Sequence, residues 1–198
     1  VVMDIKNVEK KLEEQFKKID EIEYINSKKV MASFYECNVT EACFNSTTGY
    51  GYGDLGRDTL EKIYAHIFKS EDALVRTQLI SGTHALSTAL FGMLRPGDTL
   101  LSITGRPYDT LASVIGINDN PSSLKAFNIN YDEIDLVNDN FDIPKILDYL
   151  KNNNVKVIEI QRSRGYSTRK SISIKQLEEV IKEIRALDSD AIIMVDNC

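Results

Sequence analysis

The chain has 198 residues, with 24 Lys and Arg against 30 Asp and Glu, a formal net charge of -6, and 42% hydrophobic against 27% charged residues. That balance suits one globular domain or most of one, excludes a disordered chain, and argues against a nucleic-acid binder, because the basic residues are scattered. Cys37, Cys43 and Cys198 lack C-x-x-C spacing and only His66 and His84 are present, so neither a disulfide framework nor a metal site is expected.

No signal peptide precedes the first charged helix and no run approaches a membrane span, so a cytoplasmic protein without membrane attachment is expected. Ile5, Val8, Leu12, Phe16, Ile19 and Ile22 recur at three- and four-residue steps, which predicts one long amphipathic helix. From Ala32 to Thr48 the pattern is irregular and polar and reads as loop, so residues 1–48 form a helix-and-loop arm ahead of the main domain, 49–198. Gly49-Tyr50-Gly51-Tyr52-Gly53-Asp54-Leu55-Gly56-Arg57-Asp58 is a glycine-dense loop, and the helix after it has Leu60, Ile63, Tyr64, Ile67 and Phe68 on its apolar side. Gly51-x-Gly53-x-x-Gly56 satisfies a dinucleotide fingerprint, with Glu71 and Asp72 about twenty residues on, and a nicotinamide-dependent dehydrogenase is the alternative it suggests. The context argues against it, because the fingerprint must close a hydrophobic strand and this one follows Asn-Ser-Thr-Thr.

Ala73-Leu74-Val75 reads as a buried strand leading into Ser81-Gly82-Thr83 and a helix of small residues. Two hydroxyls and a glycine at a helix start form an anion cradle: the unpaired N–H groups and the helix dipole favour a phosphate, and glycine admits it without a Cβ in the way. Beyond it come a turn at Arg95–Asp98, a strand from Thr99 to Ile103 and a helix opened by Pro107. An apolar run around Leu124–Phe127 precedes an acidic stretch and a helix marked by Ile143, Ile146, Leu147 and Leu150. Val155–Ile160 is a strand, Ile174 to Leu187 a helix, and Ala191–Val195 a last strand ending in Asp196. Short apolar strands alternating with amphipathic helices predict an α/β fold with a mainly parallel sheet flanked by helices.

In such sheets ligands sit beyond the carboxyl ends of the strands. The residues expected there are Ser81, Gly82, Thr83 and His84; Thr104 to Tyr108; Arg162, Ser163 and Arg164; and Asp196. A planar phosphorylated heteroaromatic cation would use them all, with its phosphate on the helix N-terminus, its ring on Tyr108 or His84, and a protonated ring nitrogen against Asp196. Pyridoxal 5'-phosphate fits that description.

Thr48–Glu61, Ile80-Ser81-Gly82-Thr83-His84-Ala85, Gly105-Arg106-Pro107-Tyr108-Asp109 and Gln161-Arg162-Ser163-Arg164-Gly165-Tyr166 together resemble the aluminium-resistance protein family, which is similar to cystathionine beta-lyase and methionine gamma-lyase within the fold type I pyridoxal-phosphate enzymes. The resemblance spans essentially the whole chain. It implies a carbon-sulfur lyase acting on a sulfur-containing amino acid, and makes 49–198 a partial cofactor-binding large domain. By the same resemblance Ser81, Gly82 and Thr83 take the cofactor phosphate, Tyr108 stacks on the ring, Asp196 holds the pyridine nitrogen, and Arg164 stands where a residue contacts the ring hydroxyl. Tyr52 and Arg57 match residues that reach the phosphate from a neighbouring subunit, which implies a homo-oligomer, dimer or tetramer, with a shared active site. The family's Schiff-base lysine lies beyond its aspartate, and this sequence stops two residues after Asp196. A fragment, inactive by itself, is therefore expected, and a non-catalytic assembly domain that keeps an anion site is the remaining alternative.

Overall fold

A computed structural model describes residues 4–47, 50, 52–187 and 189–197. The chain divides into two compact units, Val1–Leu79 and Ile80–Cys198.

The first unit is helical. Its long helix α1 (Ile5–Glu36) opens on Asp4, whose side chain accepts the Asn7 N–H, and runs on through the start of the segment expected to be loop. Ser33 is buried there, giving its hydroxyl to the Lys29 carbonyl and meeting His66 Nδ1 at 2.7 Å. A short 3-10 helix (Glu41–Phe44) follows, then α2 (Leu55–Phe68), capped by Asp54. Of the five apolar residues expected to bury one side of α2, Ile63 is buried, whereas Leu60, Tyr64 and Phe68 are exposed. The strand expected at Ala73–Val75 is not formed. The Val75 N–H bonds the Glu61 carboxylate of α2 at 3.0 Å instead of a neighbouring strand, the Arg76 guanidinium joins the same carboxylate, and Leu74 is 62% exposed.

The second unit is an α/β layer structure comprising α3 (Gly82–Met93), β1 (Thr99–Ser102), α4 (Asp109–Ile115), β2 (Asn130–Glu133), α5 (Ile143–Asn152), β3 (Val157–Gln161), α6 (Ile174–Arg185) and β4 (Ile192–Asp196). The four strands pair in parallel in the order β2-β1-β3-β4. The run around Leu124–Phe127 is a single 3-10 turn (Lys125–Phe127), and β2 lies beyond it in the acidic stretch. α4 starts at Asp109 with Tyr108 as its N-cap, two residues after Pro107.

Side chains alternate across the sheet. Leu100, Val157, Tyr131, Ile192 and Met194 pack with Leu90, Leu94, Leu111 and Ile115 of the α3/α4 layer. Leu101, Ile103, Ile158, Ile160, Ile193 and Val195 pack with Ile146, Leu177, Val180 and Ile184 of the α5/α6 layer. Covered on both faces, the central strand β3 is buried along its whole length, as parallel sheets require. Ser102, Glu159, Gln161 and Asp196 are the polar exceptions, and by strand alternation they share the α3/α4 face.

Candidate active site at the carboxyl edge of the sheet

α3 begins where expected. Ser81 is its N-cap, in extended backbone, and its hydroxyl accepts the His84 N–H at 3.1 Å. Gly82 is the first helical residue, and a Cβ built on it meets no heavy atom within 4 Å. The side chain of Thr83 meets that of Thr110 on α4 at 2.8 Å. Gly82, Thr83 and Thr110 border a cavity of about 510 Å³ that Tyr108, Ser163, Gly165 and Asp196 close from the carboxyl ends of β1, β3 and β4.

Tyr108 is held by its backbone. Its N–H donates to the Gln161 side-chain oxygen at 2.7 Å, and the Gln161 N–H donates to the Thr104 hydroxyl at 3.0 Å. The Tyr108 ring lies 5.6 Å from that of Tyr166, with the two hydroxyls 3.1 Å apart. It is 38% exposed and lines the cavity. Asp196 ends β4 at 8% exposure. Its backbone carbonyl takes the Arg162 N–H, while among the described residues its carboxylate has no hydrogen bond or ion pair.

Gly82, Thr83, Tyr108 and Asp196 thus come together on one cavity, with Ser81 capping the helix beside it, and other expected site residues do not. His84 is turned to its own backbone, its Nδ1 accepting the Ile80 N–H at 3.4 Å. Arg164 lies on a different hollow, with Arg106, Asp135 and Arg169. Arg162 is occupied by the Ile172 carbonyl and the Asn197 side chain. Tyr52 and Arg57 belong to the first unit. Tyr52 is 90% exposed, and Arg57 pairs with Asp58 at 2.8 Å.

The dinucleotide alternative finds no strand ahead of its glycines among the described residues, and Gly51 lies outside those residues, as do Thr48, Gly49 and Cys198. Gly56 has a steric role, since a Cβ there would stand 2.2 Å from the Cys43 carbonyl oxygen. Sequence reasoning missed Gln161 as the anchor of Tyr108, together with Thr110 and Ser102. It also passed over Glu159, although a carboxyl inside the apolar run Val157-Ile158-Glu159-Ile160 is a legible anomaly.

A doubly covered parallel sheet with a helix-capped cavity at its carboxyl edge defines an α/β fold of the kind seen in Escherichia coli YhfS, a pyridoxal-5'-phosphate-dependent protein. The two superpose with a TM-score of 0.60 over 85% of this chain and 42% of that one; at 18% identity the likeness is one of fold alone. Closer comparison narrows the class: the methionine gamma-lyase family profile matches residues 1–198, and the chain belongs to that family. It is 43% identical, with a TM-score of 0.91, to a carbon-sulfur lyase involved in aluminum resistance from Clostridium novyi NT, covering 98% of this chain and 46% of that one. A candidate cystathionine beta-lyase involved in aluminum resistance from Listeria monocytogenes is 48% identical, with a TM-score of 0.92, over 98% of this chain and 49% of its own. The uncharacterized protein YnbB of Bacillus subtilis (strain 168) is 48% identical over 185 residues, 92% of this chain and 44% of YnbB. The chain therefore spans about half the length of the relatives it matches.

Proposed function

We propose that the full-length protein is a pyridoxal-phosphate-dependent carbon-sulfur lyase acting on a sulfur-containing amino acid, and that the cavity between α3, α4 and β4 holds the cofactor. One observation carries the reading: a capped helix N-terminus, an aromatic ring and a buried carboxylate with no hydrogen-bond partner among the described residues border the same hollow. Each fits a part of the group. The empty space over Gly82 admits an anion against the first N–H groups of α3, where the helix dipole favours it. Tyr108 offers a ring face, and Asp196 offers the negative charge that a desolvated cationic nitrogen requires. When bound, such a cofactor supplies an electron sink for the substrate's α-carbon.

This chain's residues bind and orient. Ser81, Gly82 and Thr83 would seat the phosphate, Tyr108 would offer its ring to the cofactor ring, and Asp196 would stabilise the charged form of a protonated ring nitrogen. The lysine that would carry the cofactor is proposed to lie in the half of the protein that this chain does not span. Tyr52 and Arg57 are proposed to serve the site of a neighbouring subunit, and Arg164, directed elsewhere in this structure, is proposed as a contact to the ring hydroxyl.

The decisive variant is Asp196→Asn in the full-length protein. It is expected to keep the fold and much of the cofactor while slowing exchange of the substrate α-proton by orders of magnitude, because a charge partner acting in the transition state is lost. Single-turnover exchange into heavy water measures it, and unchanged exchange would remove Asp196 from the site.

A further inference from the structure

The sheet face beneath the cavity carries a second carboxyl. Glu159 lies in mid-strand on β3 and is 0% exposed. In register it stands in one row with Glu133 of β2, Ser102 of β1 and Met194 of β4. The Ser102 Oγ is 2.7 Å from the Gly105 carbonyl oxygen and 2.8 Å from Glu159 Oε2. A serine hydroxyl has one hydrogen, and a carbonyl oxygen can only accept. Were Glu159 ionised, that hydrogen would serve one contact and leave the other as two bare oxygens at hydrogen-bond distance. Both contacts are hydrogen bonds only when Glu159 donates to Ser102 and Ser102 donates to Gly105.

The surroundings agree. Among the described residues Glu159 Oε1 has no hydrogen-bond partner, which costs far less for the carbonyl of a neutral acid than for half of a buried carboxylate. Asp196 on β4 brings a like charge, and Arg169 beyond β3 opposes it from a guanidinium already bonded to the carbonyls of Gln161, Ser163 and Lys170. On β2, Glu133 is engaged by the Tyr131 hydroxyl at 2.6 Å. The α3/α4 layer packs that face with apolar side chains, among them Leu90, Leu111 and Ile115. Burial pushes the Glu159 carboxyl up to about 7.

We propose that Glu159 is a positioning residue held as a neutral carboxylic acid, and that the chain from Glu159 through Ser102 to the Gly105 carbonyl anchors the connection bearing Tyr108. That connection is tied to β3 at three further points, the Ile103 N–H on the Glu159 carbonyl and the Thr104 and Gln161 bonds, none of which titrates. Loss of the Glu159 proton turns a donor into an acceptor, sets it against Gly105 for a single hydrogen, and loosens the wall that presents Tyr108. The inference does not depend on which ligand the cavity takes.

Infrared spectra of the full-length protein without added ligand, taken from about pH 5 to about pH 9, test it in the carboxylic-acid carbonyl region above the amide band. A band is expected that disappears as pH rises through neutrality, is absent in Glu159→Gln, and moves in Ser102→Ala, which removes the acceptor of the acid proton. In parallel, exchange of the Gly105 and Tyr108 amides, corrected for intrinsic pH dependence, should quicken across the same range in the wild type and stay level in Glu159→Gln. Absence of the band at the acid end overturns the proposal, as does a band indifferent to Ser102→Ala or an unchanged amide profile. The wild-type titration and Ser102→Ala decide the matter even if Glu159→Gln does not fold.

Discussion

At Gly82 the helix backbone meets the cavity with no side chain between them, and the open space over its Cα makes substitution there unusually clean. Gly82→Val should fold, because a Cβ there meets no protein atom within 4 Å, yet lose the cofactor by displacing its phosphate from donors whose charge-assisted bonds are each worth roughly 1.5–3 kcal/mol. A thermal melt beside an absorbance titration with pyridoxal phosphate separates the two effects; full occupancy would mean that the phosphate sits elsewhere. Glu159 makes a different prediction. Its native pKa, about 7, lies above the ordinary carboxylate value, so its contribution to stability is complete below about pH 4.5, declines as pH rises through the interval and levels off above neutrality. Melting temperatures of wild type and Glu159→Gln followed across that interval should therefore shift in favour of the variant as pH rises, and a constant difference would contradict the raised pKa.

Among the elements, α2 is placed by close backbone approach rather than by an apolar stripe. Gly56 lies in its first turn against the Cys43 carbonyl, 2.2 Å from where a Cβ would be, so Gly56→Ala must push the 3-10 helix away from α2. The expected loss is about 1–3 kcal/mol, the usual range for overpacking, read from denaturant unfolding; a neutral result would show that the Cys43 segment yields freely. The fragment Gly53-x-x-Gly56 of a nucleotide fingerprint is thus explained by turn and packing geometry, with Gly53 at φ +61. α6 shows the opposite case, a helix legible from its ends, because Ser173 and Gln176 form a full capping box.

For the whole molecule, the apolar residues along α1, Phe16, Ile19, Ile22 and Ile25 among them, remain exposed, as do Tyr64 and Phe68 on α2. Exposed apolar rows of this extent commonly mark association surfaces. We expect the full-length protein to sediment as at least a homodimer, and an active monomer would defeat both that expectation and the shared-site roles of Tyr52 and Arg57. No helix among the described residues is long and apolar enough to cross a membrane.

Much of this protein was determined by its sequence alone. Alternating apolar strands and amphipathic helices set the parallel α/β fold, since a strand buried on both faces has to be apolar throughout and its crossover helices have to be two-faced. Ser81-Gly82-Thr83 announced a capped helix start, because capping is a local interaction complete within a few residues. Tertiary structure alone decided what depends on distant partners. Ala73–Val75 lost its strand to the Glu61 side chain, His84 and Arg164 turned away from the cavity that Tyr108 and Asp196 share, and Gln161 came to hold Tyr108 across 53 positions of sequence. The protonation of Glu159 is the sharpest instance: it follows from the single hydrogen of Ser102 facing two oxygens, only one of which it can serve, and the register of β1 against β3 brings Ser102 and Glu159 together.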